Sequence, residues 1–299
     1  MKIPVLVLFG PTASGKTDIL KKLFNKGGAE IISADSMQVY RGMDIGTAKP
    51  SPEERARLPH HLIDIRDPDE QFNAGDFVRL AEEACIAAAG RGALPVVSGG
   101  TGFYLKNLVL GLSEAPPSDG SIRRELKEEL KNKGAAVLMQ ELAAADPVSA
   151  GRIHINDVYR LLRALEVYRL SGRALSSYAS AWNPHAGAGE DKRNFSFRLI
   201  GLRRNREELY RRIEERTAAM FGSGLPAEVR RLFEAGYTPD CPGLRAIGYR
   251  EFFVEDSSSW RLSEDLAGVQ ALVARNSRRY AKRQITFFSS LPSVEWIDL

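Results

Sequence analysis

The sequence predicts an α/β fold: a parallel sheet flanked by helices, interrupted by a smaller helical insertion. Three observations carry this. An apolar run, Ile3 to Phe9, leads into Gly10-Pro11-Thr12-Ala13-Ser14-Gly15-Lys16-Thr17 and then into a helical pattern. Further apolar runs, at Ile31-Ile32 and Pro95-Val96-Val97, end in polar or glycine-rich tips. After Ala115-Pro116-Pro117-Ser118-Asp119-Gly120 the pattern turns helical and strand-poor until Phe195. Strand–turn–helix repetition of this kind builds parallel sheets, whose strands read as continuous apolar runs because both faces are covered.

Residues 10–17 match GxxxxGK[ST] without a mismatch, between a strand and the helix start Thr17 to Phe24. Glycines let the backbone curl so that several N–H groups point inward, and the helix N-terminus adds partial positive charge. In such a loop Lys16 reaches terminal phosphates and the Thr17 hydroxyl can hold Mg²⁺. Gly10, Pro11, Thr12, Ala13, Ser14, Gly15, Lys16 and Thr17 are therefore the expected cradle for a phosphate or diphosphate, and the loop alone does not say whose. The arrangement is P-loop NTPase-like.

Ile31 and Ile32 read as the end of the second strand, and Asp35 falls at or just past its carboxyl end, where open parallel sheets bind ligands. An aspartate there serves as a metal ligand, a general base or a cap. The polar run Asp35-Ser36-Met37-Gln38 favours a functional role. Tyr40 to Pro50 is a polar, glycine-containing loop. His60 to Ile65 reads as a short strand; adjacent histidines on a strand point apart, so they are structural or edge residues. A helix spans Phe72 to Ala89. Leu94 to Val97 leads through Gly99-Gly100-Thr101-Gly102 into a helix from Phe103 to Leu110. Thr101 thus shares the rim with the loop and Asp35, in a turn that is either ordinary or ligand-facing.

The insertion, expected over 115–194, holds helices at Ser121 to Lys133, Ala135 to Ala145 and Asp157 to Leu170. Arg160 and Arg163 share one side of the last, while Leu161, Leu162 and Leu165 can face a core. Asn183 to Asn194 reads as a closing polar loop. Phe195 to Leu202 is a strand returning to the main sheet, so 1–114 and 195–299 form the catalytic core. The next helix, Arg206 to Phe221, carries Arg206, Arg212 and Arg216, from which a diphosphate clamp is expected, because arginine binds phosphate oxygens through a bidentate fork. Another helix runs from Leu225 to Ala235. The last, from about Leu262 to Gln284, carries Arg275, Arg278, Arg279, Lys282 and Arg283. A basic face of single sign suits a nucleic-acid backbone.

Composition bounds the class. The chain has 299 residues, 43% hydrophobic and 27% charged, with net charge +4. That is enough for one large core or two smaller ones, and the mild basicity permits a nucleic-acid partner. No apolar run is long enough to span a bilayer, and Met1-Lys2-Ile3-Pro4 enters a strand without a secretory h-region, so a cytoplasmic protein without a membrane partner is expected. Cys85 and Cys241 stand apart from any Cys/His cluster, which argues against a zinc site or disulfide framework. Cys85 reads as a small core residue. No heptad run asks for a second copy, and a monomer is expected.

With these stretches in view, the sequence resembles the tRNA dimethylallyltransferases (tRNA isopentenyltransferases), bacterial type without the zinc-binding tail of some eukaryotic members. The resemblance runs through GPTASGKT (10–17), ISADSMQVYRGMDIGTAKP (32–50), PHHLIDIRDP (59–68), LPVVSGGTGFYLK (94–106), RIHINDVYRLLRALEV (152–167), LYRRIEERTAAM (209–220), AIGYRE (246–251) and YAKRQITFF (280–288). Departures are slight: the family often has Pro where Ile155 stands and Trp where Phe287 stands.

The resemblance implies transfer of a dimethylallyl group from dimethylallyl diphosphate to N6 of the adenosine beside the anticodon in tRNA, with Mg²⁺ as cofactor. It implies Asp35 as the base and Thr101 as a contact near the target adenosine. It further implies that Asp35, Ser36, Met37 and Gln38, with Arg123, Tyr159, Arg160, Leu161, Leu162, Arg163, Arg279, Lys282 and Arg283, meet the tRNA anticodon arm. Lys16, Thr17 and one of Arg206, Arg212 or Arg216 would stabilise the leaving diphosphate. Two other readings use the same loop. A small-molecule kinase predicts ATP turnover with a small acceptor. A non-catalytic RNA-binding protein predicts tRNA binding indifferent to Asp35.

Overall fold

The computed structural model describes residues 2–182, 194–257 and 259–299, so most of the closing loop expected at Asn183 to Asn194 lies outside the described residues. Two compact units emerge, Met1–Val109 with Lys192–Leu299, and Leu110–Asp191. The boundary falls at 109/110, earlier than the Pro-rich stretch where the sequence places it.

In chain order the first unit opens with β1 (Ile3–Phe9), α1 (Lys16–Leu23), β2 (Ala29–Ala34), α2 (Pro52–Arg57), β3 (His60–His61), α3 (Ala74–Gly90), β4 (Leu94–Gly99) and α4 (Gly102–Leu110). The insertion contributes α5 (Gly120–Lys133), α6 (Ala135–Ala145), α7 (Pro147–Ala150) and α8 (Val158–Ser171). The first unit resumes with β5 (Phe195–Arg203), α9 (Arg206–Gly222), α10 (Leu225–Glu234), β6 (Phe253–Asp256), β7 (Ser259–Leu262), α11 (Leu266–Phe288) and β8 (Val294–Asp298).

Among the described residues the main sheet has strand order β3-β2-β4-β1-β5-β8, and every pairing is parallel. β2 is buried along its whole length, as a strand covered on both faces must be. One face packs Val5, Val7, Phe9, Ile32 and Val97 against Phe77, Leu105, Leu108 and Phe288. The other packs Leu8, Ile31, Val96 and Leu202 against Leu20 and Leu58. Cys85 is buried in the first of these layers, where burial pushes its thiol up to about 12. A third cluster joins Val39, Tyr40 and Met43 to Leu225, Val229, Tyr249 and Val273, so the loop after β2 is anchored on α10 and α11.

Register decides where chemistry can occur. Phe9 pairs with Gly99, and Ala34 pairs with Gly99. The tips of β1, β4 and β2 therefore end level, and the segments that begin at Gly10, Gly100 and Asp35 leave the sheet side by side. A Cβ at Gly99 would lie 2.1 Å from the Ala34 carbonyl oxygen, so only glycine lets these tips close up.

Three elements differ from the sequence reading. The strand expected at His60 to Ile65 is only His60–His61, because Leu62 and Asp64 adopt φ of 63° and 56° and turn the chain away. His61 Nε2 lies 2.6 Å from Glu30 Oε2, and the Arg91 guanidinium, with help from His61, holds the Glu30 carboxyl down at about 2. The last helix starts at Leu266, capped by the Asp265 side chain, because Ser259–Leu262 belongs to an antiparallel hairpin with Phe253–Asp256. Val294–Asp298 adds an edge strand beside β5.

In the insertion, Leu126, Leu138, Leu142, Leu161, Leu162 and Leu165 form the core. Leu161 and Leu162 are 0% and 2% exposed, which corrects their expected role as RNA contacts: their side chains hold α8 in place. No helix among the described residues is long and apolar enough to cross a membrane.

Candidate active site

The loop after β1 reaches α1 through Gly15, whose φ of 99° caps the helix in the left-handed region. No side chain caps this N-terminus, so its N–H groups remain available to an anion. Lys16 Nζ donates to the carbonyl oxygens of Gly10 at 2.9 Å and Pro11 at 3.0 Å. Burial pushes its pKa down to about 8, the nearby Arg216 cation adds to this, and Asp35 opposes it.

Three arginines hydrogen-bond to the loop, and two of them, Arg212 and Arg216, also line its cavity. Arg212 Nε donates to the Ala13 carbonyl at 2.9 Å, and Arg216 Nη1 donates to Thr12 Oγ1 at 3.1 Å. Arg204, unremarked in the sequence reading, donates through Nη2 to the Ser14 carbonyl at 3.3 Å. A trans peptide whose C=O points at an arginine turns the following N–H the other way, so the Gly15 N–H faces away from Arg204. Arg206 does not join them. Its guanidinium lies 5.2 Å from the Tyr210 ring centroid, and it is absent from the residues lining the cavity. Arg206 opens α9, whereas Arg212 and Arg216 share a face about 1.7 and 2.8 turns further along.

Asp35 stands across from the loop. Its Oδ1 accepts the Met37 N–H at 2.9 Å and the Gln38 N–H at 3.4 Å. The carboxylate is thus fixed by a capping turn, and it lines the same cavity as Lys16 and Arg216. Thr101 Oγ1 accepts the Ser36 N–H at 3.0 Å and lies 3.3 Å from Ser36 Oγ, which ties the turn after β4 to the segment after β2. Gln38 is held on both ends of its amide: Oε1 accepts from Ser33 Oγ at 3.0 Å, and Nε2 donates to the Thr47 and Ala48 carbonyls, each at 3.3 Å. Tyr280, from α11, closes one wall. Burial and then Asp35 push its phenol up to about 12, so it stays neutral.

The cavity these groups enclose is about 760 Å³, room for a diphosphate with a short hydrocarbon chain. Among the described residues no cluster of His, Cys, Asp and Glu is built to hold a metal. The donors at the loop are hard oxygens: the exposed Thr17 hydroxyl and the buried Ser14 hydroxyl, which has no hydrogen-bond partner. Such a set suits Mg²⁺ that takes its remaining ligands from water and phosphate oxygens.

The other residues expected at an RNA interface fall in two places, each described within its own unit. In the insertion, buried Glu166 lies 2.9 Å from Arg163 Nη1 and 3.5 Å from Arg123 Nη1. Arg123 lies over the Tyr159 ring, 4.9 Å from its centroid, and Tyr159 is 73% exposed. Arg160 is exposed and paired with Asp157. On α11, Arg275, Arg279, Lys282 and Arg283 are exposed, whereas Arg278 is bonded to Glu214 at 2.7 Å and does not extend the basic face freely.

Comparison with known proteins accounts for this combination. The family model described as IPP transferase matches residues 38–291, and one described as isopentenyl transferase matches residues 3–71. A tRNA dimethylallyltransferase of Geobacter sulfurreducens is 44% identical over 297 residues, 99% of this chain and 92% of the relative. A tRNA dimethylallyltransferase 2 of Geotalea uraniireducens is 47% identical, covering 99% and 93%. The solved tRNA isopentenylpyrophosphate transferase of Bacillus halodurans superposes with TM-score 0.66 at 38% identity, covering 99% of this chain and 90% of that one. A eukaryotic dimethylallyltransferase solved acting on tRNA gives TM-score 0.76 at 26% identity, covering 99% and 74%. A phosphate loop and a fixed carboxylate in one cavity, together with likeness over nearly every residue, lead to one conclusion: this chain belongs to the tRNA dimethylallyltransferase family.

Proposed function

We propose that this chain transfers the dimethylallyl group of dimethylallyl diphosphate to N6 of the adenosine on the 3′ side of the anticodon in tRNA, releasing diphosphate. The observation that carries the reading is the level ending of β1, β2 and β4, which sets a diphosphate cradle and the Asp35 carboxylate in one cavity.

The chemistry follows from the charges. The N6 lone pair of adenine is delocalised into the ring, so the amine is a weak nucleophile. Asp35 orients it and accepts its proton as the N6–C1 bond forms. The C1–O bond breaks, and its electron pair leaves on the diphosphate. Lys16, Arg212, Arg216 and the N-terminal N–H groups of α1 stabilise that charge as it develops. The Thr17 hydroxyl would help hold Mg²⁺, which would supply further positive charge to the leaving group. Thr101 keeps Ser36, and with it the Asp35 segment, at the rim. The target base must leave its stack, which costs a few kcal/mol. Tyr159, Arg123 and Arg163, with the basic face of α11, offset that cost by binding the anticodon arm. The reading places the reaction in the cytoplasm.

The test is incubation of the chain with labelled dimethylallyl diphosphate, Mg²⁺ and unmodified tRNA. Label is expected in the tRNA. Label confined to small molecules, or ATP turnover with a small acceptor, would overturn the reading.

A further inference from the structure

Gln284 is a buried amide, 5% exposed, on the inward edge of the helix whose outward edge is basic. It bridges two strand tips. Its Oε1 accepts the Thr12 N–H at 2.9 Å, and its Nε2 donates to the Gly100 carbonyl at 2.8 Å. Both partners are backbone groups with fixed roles, one donor and one acceptor, so the amide has a single workable orientation. The fit is close: a Cβ at Gly100 would lie 2.5 Å from Nε2.

The consequence runs through the Pro11–Thr12 peptide. In a trans peptide the N–H and C=O point in opposite directions. With the Thr12 N–H held by Gln284, the Pro11 carbonyl points into the loop, where it accepts from Lys16 Nζ at 3.0 Å and from the Ser14 N–H at 3.2 Å. We infer that Gln284 is a positioning residue for the prenyl diphosphate: it fixes the Pro11–Thr12 peptide, and through it the loop curvature and Lys16. The inference rests on the prenyl-transfer reading. Gln284 touches no reacting atom. Its contribution is preorganisation, which shows in donor binding.

The test is steady-state transfer at saturating tRNA. Gln284→Met keeps the volume and removes the amide's hydrogen bonds to Thr12 and Gly100, along with its contact to Tyr280. The KM for dimethylallyl diphosphate is expected to rise about tenfold, the size expected for lost hydrogen bonds, with the KM for tRNA unchanged. A wild-type donor KM, or donor and tRNA KM rising together, overturns the inference. Gln284→Glu covers the case in which the Met variant fails to fold. Protonated, its carboxyl restores one acceptor and one donor; ionised, it lacks the donor. Lys16, Asp35, Arg216 and Tyr280 face the same cavity, so the quantity read is the variant's donor KM divided by that of the wild type at each pH. That ratio is expected to fall toward unity as pH is lowered and the introduced carboxyl takes up its proton. A ratio flat with pH overturns the inference. Absence of label transfer by the wild-type chain overturns the prenyl-transfer reading instead.

Discussion

Glu228 accepts the Tyr249 hydroxyl at 2.6 Å, and the same carboxylate accepts the backbone N–H groups of Asp44, Ile45 and Gly46. Glu228 is 1% exposed, and Tyr249 is fully buried. A Cβ at Gly46 would lie 2.5 Å from the Tyr249 ring, so the loop approaches this pair as only glycine can. The next carbonyls of that loop, Thr47 and Ala48, hold Gln38 at the cavity. Removing the carboxylate strands three half-buried N–H groups and a buried hydroxyl, whereas removing the hydroxyl leaves the carboxylate three donors. Glu228→Ala is expected to cost on the order of 3–5 kcal/mol and Tyr249→Phe about 1 kcal/mol, read from urea unfolding midpoints. Equal losses would show that the loop N–H groups find other partners.

Asp35 combines two functions that one substitution can separate. Asp35→Asn keeps Oδ1 as acceptor for Met37 and Gln38 but removes the base. Transfer is expected to fall by about 10²–10⁴-fold in single turnover, with tRNA affinity near wild type. Asp35→Ala is expected to abolish transfer as well and to leave tRNA binding nearly intact. Wild-type transfer by Asp35→Asn would remove it as the base.

Lys16 gives the donor site a pH dependence whose direction is fixed. Its pKa lies at about 8 rather than 10.5, chiefly through burial, so the ammonium is lost as pH rises past 8. A polyanionic diphosphate favours the charged lysine and draws a proton back onto it. Donor affinity is therefore expected to fall about tenfold per pH unit above 8, measured by equilibrium binding, and this slope is expected to vanish in Lys16→Ala. For stability the same shift acts oppositely. Between 8 and 10.5 the unfolded chain binds more protons, so the cost of burying the ammonium is relieved as pH rises through that window. A donor affinity level from pH 7 to pH 10 would place the lysine charge outside the binding step.

How much of this could be read from residues alone depends on how local each cause is. The phosphate loop demands a particular backbone over eight positions, so its sequence names its structure. Asp35 and Thr101 were placed on the rim because strand tips in a parallel sheet end together. Arg204 was not, because an arginine just past a strand acquires its role only when the loop from β1 folds over it. Arg206 shows the converse: residues sharing a helix cannot be ranked until the angle of α9 to the loop is known. Gln284 lay hidden among basic neighbours, and its burial is a tertiary fact. Some signals were local and present. Ser51-Pro52-Glu53-Glu54 spells a capping box with Pro at the first turn, and α2 follows it. The short edge strand Val294–Asp298 carries a half-exposed alternation that resembles a loop until β5 is there to pair with it.

The basic face of α11 yields the last prediction. Arg275, Arg279, Lys282 and Arg283 are exposed on a helix whose buried edge carries Val273, Ala281, Gln284 and Phe288. The helix is thus held by its apolar edge, and the cations cost the fold little to keep. If each of Arg279, Lys282 and Arg283 meets a phosphate, each contributes about one unit to the slope of log affinity against log salt, somewhat less on single-stranded segments. Arg279→Gln with Lys282→Gln is expected to lower that slope by about 1.5–2 while leaving the unfolding midpoint near wild type. Arg278→Gln is expected to change the slope little, because its guanidinium is already bonded to Glu214. An unchanged slope in the double variant would move the RNA contacts off α11. The insertion-domain arginines would then have to supply them, with Arg163 held by Glu166 and Arg123 lying over Tyr159.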